Sequence, residues 1–217
     1  MPAIDMKFNE SFSTLNYFQI NSGSIPYVSD IPLFEGKIRK NNFLVVQTEI
    51  KQAILEFEKT NSFKQHPLWK SHHLSDLDFN NNFIKKYSCN LLEDEIQNSV
   101  AAYLAAVGTT FLEFQITQSW ITKSHHKEYA HVHNHGSSDM SGVYYFDTIG
   151  DDGDIFFPYP HNTPTTTVYL QHLLNELAIR PENGKIILFP GWLKHGVRTN
   201  GTQHERISLS FNIKFKT

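Results

Sequence analysis

The chain contains 217 residues with a formal net charge of −3 at pH 7, and 40% of the residues are hydrophobic. This size and composition are typical of one globular domain with a sizeable core, and the charge argues against a nucleic-acid or anionic-membrane partner. The single cysteine, Cys89, excludes an intrachain disulfide framework. Because we find no signal-peptide pattern and no apolar run of membrane-spanning length, we expect a cytoplasmic protein with a small-molecule or peptidyl substrate. Nothing in the sequence indicates the oligomeric state.

Two segments in the first half of the chain have the apolar repeat of amphipathic helices. They are NNFLVVQTEIKQAILEFEKT, residues 41–60, and NLLEDEIQNSVAAYLAAVG, residues 90–108. The predicted buried stripes are Val46, Ile50, Ala53, Ile54 and Phe57 in the first segment, and Ile96, Val100, Tyr103, Leu104 and Val107 in the second. The candidate capping residues are Asn41 or Asn42 for the first helix, and Asn90 with Glu93 at the start and Gly108 at the end of the second. Both helices are expected to pack on one side of a sheet.

The apolar period then changes from 3.6 residues to two. In TFLEFQITQSWITK, residues 110–123, one face of a half-buried strand is predicted to carry Leu112, Phe114, Ile116 and Trp120. Further strands follow at short spacing, separated by turn sequences such as Asn183-Gly184 and Asn200-Gly201. They are predicted at His131 to His135, Ser141 to Asp147, Asp154 to Tyr159, Leu177 to Arg180, Lys185 to Phe189 and Glu205 to Phe215.

Many short strands after two helices predict a mainly β fold with flanking helices. The best match is a double-stranded β-helix, a cupin-like jelly roll, with the N-terminal helices packed on its outside. We predict a single domain over residues 1–217. In it, residues 1–108 form an N-terminal helical support segment and residues 109–217 form the jelly-roll catalytic core.

Three histidines alternate along the second predicted strand, in the sequence HVHNH. On a regular strand, His131, His133 and His135 would project from the same face, and an HxH pair can therefore chelate one metal ion. Neutral imidazole is a good ligand for iron, zinc, copper and nickel. The alternative is a histidine-rich strand that merely faces solvent in a chain with 12 histidines.

The last predicted strand has one apolar face and one polar face. The polar face carries Arg206, Ser208, Ser210 and Asn212. Inside a barrel, an arginine and a serine two residues apart can bind a carboxylate, through a bidentate guanidinium pair and a hydroxyl hydrogen bond. Another histidine, His195, follows the Pro-Gly break that precedes this strand.

Taken in order, these features resemble the iron(II)- and 2-oxoglutarate-dependent oxygenase superfamily, in particular a small branch with the approximate motif HxHPxxxxSGVYY. The resemblance runs from Trp120 to Asn212, about half the chain, and is specific as a set. It consists of the HxH pair, SGVYYF, GDIFF, the run P-x-x-G-K-I-I-L-F-P, His195, and Arg206-x-Ser208.

The resemblance implies roles for individual residues. In that branch five residues separate the second histidine from the Ser-Gly pair, so His133 and His135 match the proximal metal ligands and catalytic pair, with His131 as the nearest alternative. His195 matches the distal ligand. Arg206 and Ser208 match the element that binds the far carboxylate of 2-oxoglutarate. Tyr144 or Tyr145, one of which must face inward, are candidates for a hydrogen bond to 2-oxoglutarate or, alternatively, for core packing.

The implied cofactors are Fe(II) and the co-substrate 2-oxoglutarate, and the implied reaction is a hydroxylation that releases succinate and CO2. Zinc or nickel can occupy such a site in purified protein. One departure concerns the second ligand, because most of the superfamily uses HxD or HxE. A histidine at that position leaves the metal site one unit more positive. Asp139 or Asp154 could supply the carboxylate ligand that the metal would otherwise lack.

Two other functions fit part of the pattern. HNHGSSD also matches a variant of the cupin metal motif, so a cupin-type metal protein or enzyme that does not use 2-oxoglutarate is the first alternative. Such a protein has no requirement for Arg206-x-Ser208 on the last strand. The second alternative is a jelly-roll binding or structural module in which a coordinatively closed metal stabilises the fold.

Overall fold

The computed structural model describes residues 18–20, 23–25, 27–28, 31–65, 72–78, 80–109, 113–158 and 176–216. The helices are α1 (Phe43–Glu58), α2 (Phe83–Lys86) and α3 (Asn90–Ala106). The strands are β1 (Phe18–Ile20), β2 (Gly23–Ile25), β3 (Tyr27–Val28), β4 (Ile31–Pro32), β5 (Phe34–Lys37), β6 (Lys64–Gln65), β7 (His73–Leu74), β8 (Phe114–Ser124), β9 (Ala130–His133), β10 (Met140–Asp147), β11 (Ile155–Phe157), β12 (Leu177–Ile179), β13 (Lys185–Pro190), β14 (His195–Val197) and β15 (Arg206–Phe215).

The two long helices lie where the apolar repeat predicts them. The buried residues of α1 are the five of the predicted stripe. The capping predictions were only partly correct. Asn42 precedes α1 but donates its side-chain amide to Glu95 instead of capping the helix, and the first amides of α3 are bound by the Glu49 carboxylate. Gly108, at φ +74°, ends α3 as expected.

Two antiparallel sheets face each other, as in a jelly roll. The larger sheet has nine strands in the order β1-β2-β5-β13-β10-β15-β8-β7-β6, and the smaller has four in the order β12-β11-β14-β9. One apolar cluster, which includes Val143, Ile155 and Ile187, fills the space between the sheets. A second cluster packs the helices against the outer face of the larger sheet through residues such as Leu209 and Phe211. The predicted mainly β fold with flanking helices is confirmed.

The first 108 residues contribute more than helices. Strands β1, β2, β5, β6 and β7 all belong to the larger sheet, although we expected this segment to be a helical support. Each of these strands is only two to four residues long, which is too short to produce a recognisable two-residue period. Within the described ranges, no helix is long and apolar enough to cross a membrane.

A β-bulge in β8 reverses the predicted faces of that strand. Asn212 of β15 pairs with Gln118, but the next residue, Ile213, pairs with Ile116, so Thr117 is an extra residue. Before the bulge, Ile116 faces the helices, and after it Trp120 faces the space between the sheets. The prediction that Trp120 shares a face with Phe114 and Ile116 was therefore wrong, and Leu112 lies outside the described residues.

Candidate active site

A cavity of about 360 Å³ lies between the two sheets. The polar face of β15 forms one wall, through Arg206, Ser208, Ser210 and Asn212, and the opposite wall includes His133 and His195 from the smaller sheet. The apolar residues of β15 point the other way, into the cluster beneath the helices. The alternation of β15 therefore brings its polar side chains into an otherwise apolar interior.

Three imidazoles from two distant segments meet in this cavity. His133 ends β9, His135 follows two residues later, and His195 begins β14, where it pairs directly with His133 across the sheet. One nitrogen from each ring lies within 4.8 Å of one nitrogen from each of the others. Among the described residues this group contains no carboxylate.

The predicted regular alternation of three histidines does not hold, since His131 points away from the other two. The pairing between β9 and β14 is irregular, with His133 opposite His195 but Ala130 opposite Val197, so three steps on β9 match two on β14. His131 is exposed, and its Nε2 lies 3.3 Å from the Tyr129 hydroxyl. The structure thus brings together the pair that the motif spacing favours.

Each of the three rings has an oxygen beside its Nδ1 atom. The partners are the His131 carbonyl at 2.7 Å from His133, the Asn212 side-chain oxygen at 2.7 Å from His135, and the Leu193 carbonyl at 3.0 Å from His195. An acceptor at Nδ1 places the proton there and leaves the lone pair on Nε2. This arrangement orients histidines for metal binding.

All three imidazoles are neutral at neutral pH. Burial lowers the pKa of His133 to about 4, lowers that of His135, and takes that of His195 well below its usual value. The apolar rings of Phe157 and Phe189 pack against His195, with the Phe189 ring centroid at 4.5 Å. A divalent cation would therefore not have to displace protons from these ligands.

Asn212 holds the network behind His135. Its side-chain oxygen accepts hydrogen bonds from His135 Nδ1 and from Ser141 Oγ, at 2.7 and 2.8 Å, and its amide group donates to Gln118 Oε1 at 2.7 Å. Because the amide donates to one side and accepts on the other, its orientation is fixed. Asn212 lies on the predicted polar face of β15, but the sequence alone indicates no role for it.

Arg206 is a fully buried cation at the other end of the cavity. Its Nη1 donates to the carbonyls of Asp152 and Gly153, at 3.2 and 2.6 Å. Its Nε has no hydrogen-bond partner among the described residues. Burial lowers the pKa of this guanidinium, so an anionic ligand would stabilise its charged form. Ser208, which is also buried, lies two residues along the same face.

Only one of the two candidate tyrosines reaches the cavity. Tyr145 lines it, while Tyr144 packs in the cluster beneath the helices and receives a hydrogen bond at its hydroxyl from Gln47 at 3.2 Å. The role proposed for Tyr144 as a co-substrate ligand is therefore dropped, because adjacent residues of β10 face opposite sides of the sheet. Burial raises the pKa of the Tyr145 hydroxyl, which keeps it a hydrogen-bond donor.

Two further residues, which were not predicted to belong to the site, also line the cavity. Trp120 stacks on His135 with ring centroids 5.7 Å apart. His72 is 3% exposed, and burial lowers its pKa to about 3. His72 lies beside β7, and a strand of two residues is too short to show a recognisable period in the sequence.

The two carboxylates considered as alternative ligands do not join the histidines. Asp139 lies at the surface, where it accepts hydrogen bonds from the Phe215 amide and the Lys214 ammonium. Neither Asp139 nor Asp154 belongs to the group of converging ligand atoms. Residues 159–175, between β11 and β12, lie outside the described residues.

Comparisons with known proteins agree with this geometry. Residues 118–212 match the family model described as "Putative 2OG-Fe(II) oxygenase". The match covers 95 of the 217 residues, and we call this part of the chain the oxygenase region. Members of this family are oxidoreductases that use Fe(II) and 2-oxoglutarate, and the oxygenase region contains the cavity residues of β8 to β15. No curated protein sequence matches the chain significantly.

Several solved structures share the fold of this chain. A 2OG-Fe(II) oxygenase family oxidoreductase from Burkholderia pseudomallei is 14% identical, with a TM-score of 0.52 over 82% of this chain and 92% of that one. HygX from Streptomyces hygroscopicus, with nickel, 2-oxoglutarate and hygromycin B bound, is 12% identical, with a TM-score of 0.56 over 85% and 83%. A prolyl-4-hydroxylase from Pseudomonas putida is 12% identical, with a TM-score of 0.55 over 87% and 95%.

The side chains that line the cavity fit both cofactors of the 2OG-Fe(II) oxygenases. Three neutral imidazoles form a donor set suited to iron, zinc or nickel. The buried Arg206 guanidinium, with Nε still available to an acceptor within the described structure, suits the carboxylate of a dicarboxylic acid.

Proposed function

We propose that the protein is a dioxygenase that hydroxylates a small-molecule or peptidyl substrate. In the proposed reaction, one oxygen atom of O2 enters the substrate and the other enters succinate, which is released with CO2 from 2-oxoglutarate. The observation that carries the proposal is the convergence of three neutral imidazoles beside a buried guanidinium, within one cavity.

His133, His135 and His195 are proposed to hold the metal through their Nε2 atoms. The Nδ1 contacts to oxygen acceptors support this role, because they fix each ring in the required tautomer. When bound, Fe(II) supplies the activation of O2 that amino-acid side chains cannot perform. Three protein ligands would leave other positions on the metal for the 2-oxo acid and for O2.

Arg206, Ser208 and Tyr145 are proposed to bind the far carboxylate of 2-oxoglutarate. Arg206 donates from Nε, Ser208 donates its hydroxyl proton, and Tyr145 supplies a further donor from the neighbouring strand. The backbone carbonyls that bind Arg206 Nη1 orient the guanidinium toward the cavity. A fixed co-substrate reduces the entropy cost of reaching the reactive geometry.

The aromatic and aliphatic walls are proposed to exclude water from the reacting centre. Trp120, Val143 and Phe189 form part of these walls. A small-molecule substrate finds support in HygX, whose structure contains hygromycin B, and a peptidyl substrate in the prolyl-4-hydroxylase from Pseudomonas putida.

The test is production of succinate from 2-oxoglutarate by the purified protein, measured with Fe(II) under air in the presence and absence of candidate substrates. We expect Fe(II)-dependent succinate release that rises with a true substrate and disappears in His195→Ala. His126→Ala, which changes an exposed histidine, should retain the wild-type rate. Iron-loaded protein that produces no succinate with any candidate, while it oxidises one of them without 2-oxoglutarate, would instead support the cupin-type alternative.

A further inference from the structure

A second group of imidazole and carboxylate side chains lies outside the cavity, where β7 meets the turn between β8 and β9. It consists of His73, His125 and Glu128. We propose that these three residues bind a divalent cation of the zinc class, as a structural site separate from the candidate active site.

The ligand atoms are already gathered. The two carboxylate oxygens of Glu128 lie 3.1 Å from His73 Nδ1 and 3.1 Å from His125 Nδ1, and one ligand atom from each residue lies within 4.8 Å of the others. Ligands at zinc-binding distances are separated by about 3.4 Å in a tetrahedral site. Only a small movement of the two rings is therefore needed, and the fourth position would be filled by water.

The surroundings of His125 support a bound cation. Its Nε2 lies 2.7 Å from Glu205 Oε2, while its Nδ1 faces Glu128. A neutral imidazole has one proton, so it can donate to only one of these carboxylates. A proton at Nε2 and a cation at Nδ1 satisfy both, and a carboxylate behind a metal-bound histidine is the usual support for such a ligand.

His73 is also oriented to bind the proposed cation. Its Nδ1 atom is buried and, within the described structure, makes no hydrogen bond, although the Glu128 carboxylate is near. The His73 and His125 ring centroids are 4.7 Å apart. Charging both rings would place two like charges side by side, which is unfavourable. One dication shared by both rings replaces two protons and avoids this repulsion.

The site would connect the N-terminal strands to the oxygenase region. His72 and Leu74 line the cavity, whereas His73, between them, points to the opposite side of the sheet and pairs with Lys123 of β8. Strand β7 has only two residues. A cation at His73 would therefore hold β7 against β8 and keep His72 and Leu74 in the cavity wall.

The experiment is zinc titration of the full-length protein after removal of metal, in a His133→Ala/His195→Ala background that lacks the candidate active-site ligands. We expect one equivalent of zinc to bind and to raise the melting temperature. Adding His125→Ala should abolish both effects, whereas adding His126→Ala should preserve them. Glu128→Gln, which keeps the size of the side chain, should also reduce zinc binding at least tenfold.

Circular dichroism checks that each variant is folded. If His125→Ala fails this check, Glu128→Gln is used in its place. A background protein that binds no zinc, or a folded Glu128→Gln variant that binds as tightly as its parent, would overturn the proposal. Because the background lacks two cavity histidines, the result is independent of whether the protein is an oxygenase.

Discussion

Arg206 shows how a single buried charge limits what the cavity can bind. A buried guanidinium is costly unless anions or hydrogen bonds compensate for its lost hydration. Two backbone carbonyls bind Nη1, but Nε has no partner in the described part of the chain. The residue therefore favours an anionic ligand over a neutral one of the same size.

Replacement of Arg206 by alanine should weaken 2-oxoglutarate binding about 10- to 100-fold, because hydrogen bonds to charged groups contribute about 1.5–3 kcal/mol. Metal affinity should change little, since Arg206 supplies none of the three converging ligand atoms. Isothermal titration of Arg206→Ala with metal and with 2-oxoglutarate checks both values, and Arg198→Ala removes an exposed arginine as the control. Equal losses of metal and co-substrate affinity would mean that Arg206 is structural.

Asn212 offers a test of how far the metal ligands depend on their hydrogen-bond partners. Asn212→Ala should lower metal affinity about 10- to 100-fold, because His135 loses the acceptor that orients it. Asn212→Asp keeps an acceptor for His135 and Ser141 and should recover most of the affinity. Competition with a chromophoric chelator measures both variants. If Asn212→Ala binds metal as well as wild type does, the orientation of His135 does not depend on Asn212.

At the scale of the strand, irregular positions decide which side chains enter the cavity. The extra residue at Thr117 turns Trp120 inward, and the irregular pairing of β9 with β14 separates His131 from His133. A loop between β10 and β11 supplies the two carbonyls that orient Arg206. These features depend on pairing between strands that are distant in sequence.

Gly153 is the position in that loop where a side chain fits least. Its φ is +108°, and an added Cβ would lie 2.4 Å from the Arg198 carbonyl oxygen and 3.0 Å from Arg206 Nη1. Gly153→Ala should therefore destabilise the fold by about 1–3 kcal/mol and weaken 2-oxoglutarate binding. Gly201→Ala, where no atom lies within 4 Å of the added Cβ, should do neither. Urea unfolding and co-substrate titration measure the two effects, and equal behaviour of both variants would contradict this account.

The sequence predicts features that depend on local periodicity, but not those that depend on pairing between distant strands. The helix stripes of α1 and the polar face of β15 follow from local periodicity, and the positions of His133, His135 and His195 follow from motif order. A bulge leaves a regular period on either side, so Trp120 was assigned to the wrong face. His72 lies beside a two-residue strand whose place is set by pairing with β8, which no local pattern shows.

At the scale of the whole molecule, the fold buries several imidazoles together at the expense of acid stability. Burial lowers the pKa values of His72 and His133 from 6.5 to about 3 and about 4, and it also lowers the pKa of His195 well below its usual value. Above pH 6.5 these groups are neutral in both states. Below it, the unfolded chain takes up protons that the folded protein does not, so stability is lost as pH falls toward 4.

The free energy of unfolding of the metal-free protein should thus fall between pH 6.5 and pH 4, by about 1.4 kcal/mol per pH unit for each such histidine at most. His72→Leu removes one of these groups and should make the decrease shallower. Denaturant unfolding at several pH values measures the slope, with the exposed His126→Leu as the control. An identical slope in wild type and His72→Leu would show that His72 is not buried as a neutral group.

The three histidines and Arg206 are proposed to form one site for Fe(II) and 2-oxoglutarate. The most direct test of this proposal is the visible spectrum of the anaerobic protein. We expect a weak visible charge-transfer band that requires both Fe(II) and 2-oxoglutarate. The band should disappear in His195→Ala and should need more 2-oxoglutarate in Arg206→Ala. Folded, iron-loaded wild-type protein that shows no such band at saturating 2-oxoglutarate would contradict the proposal.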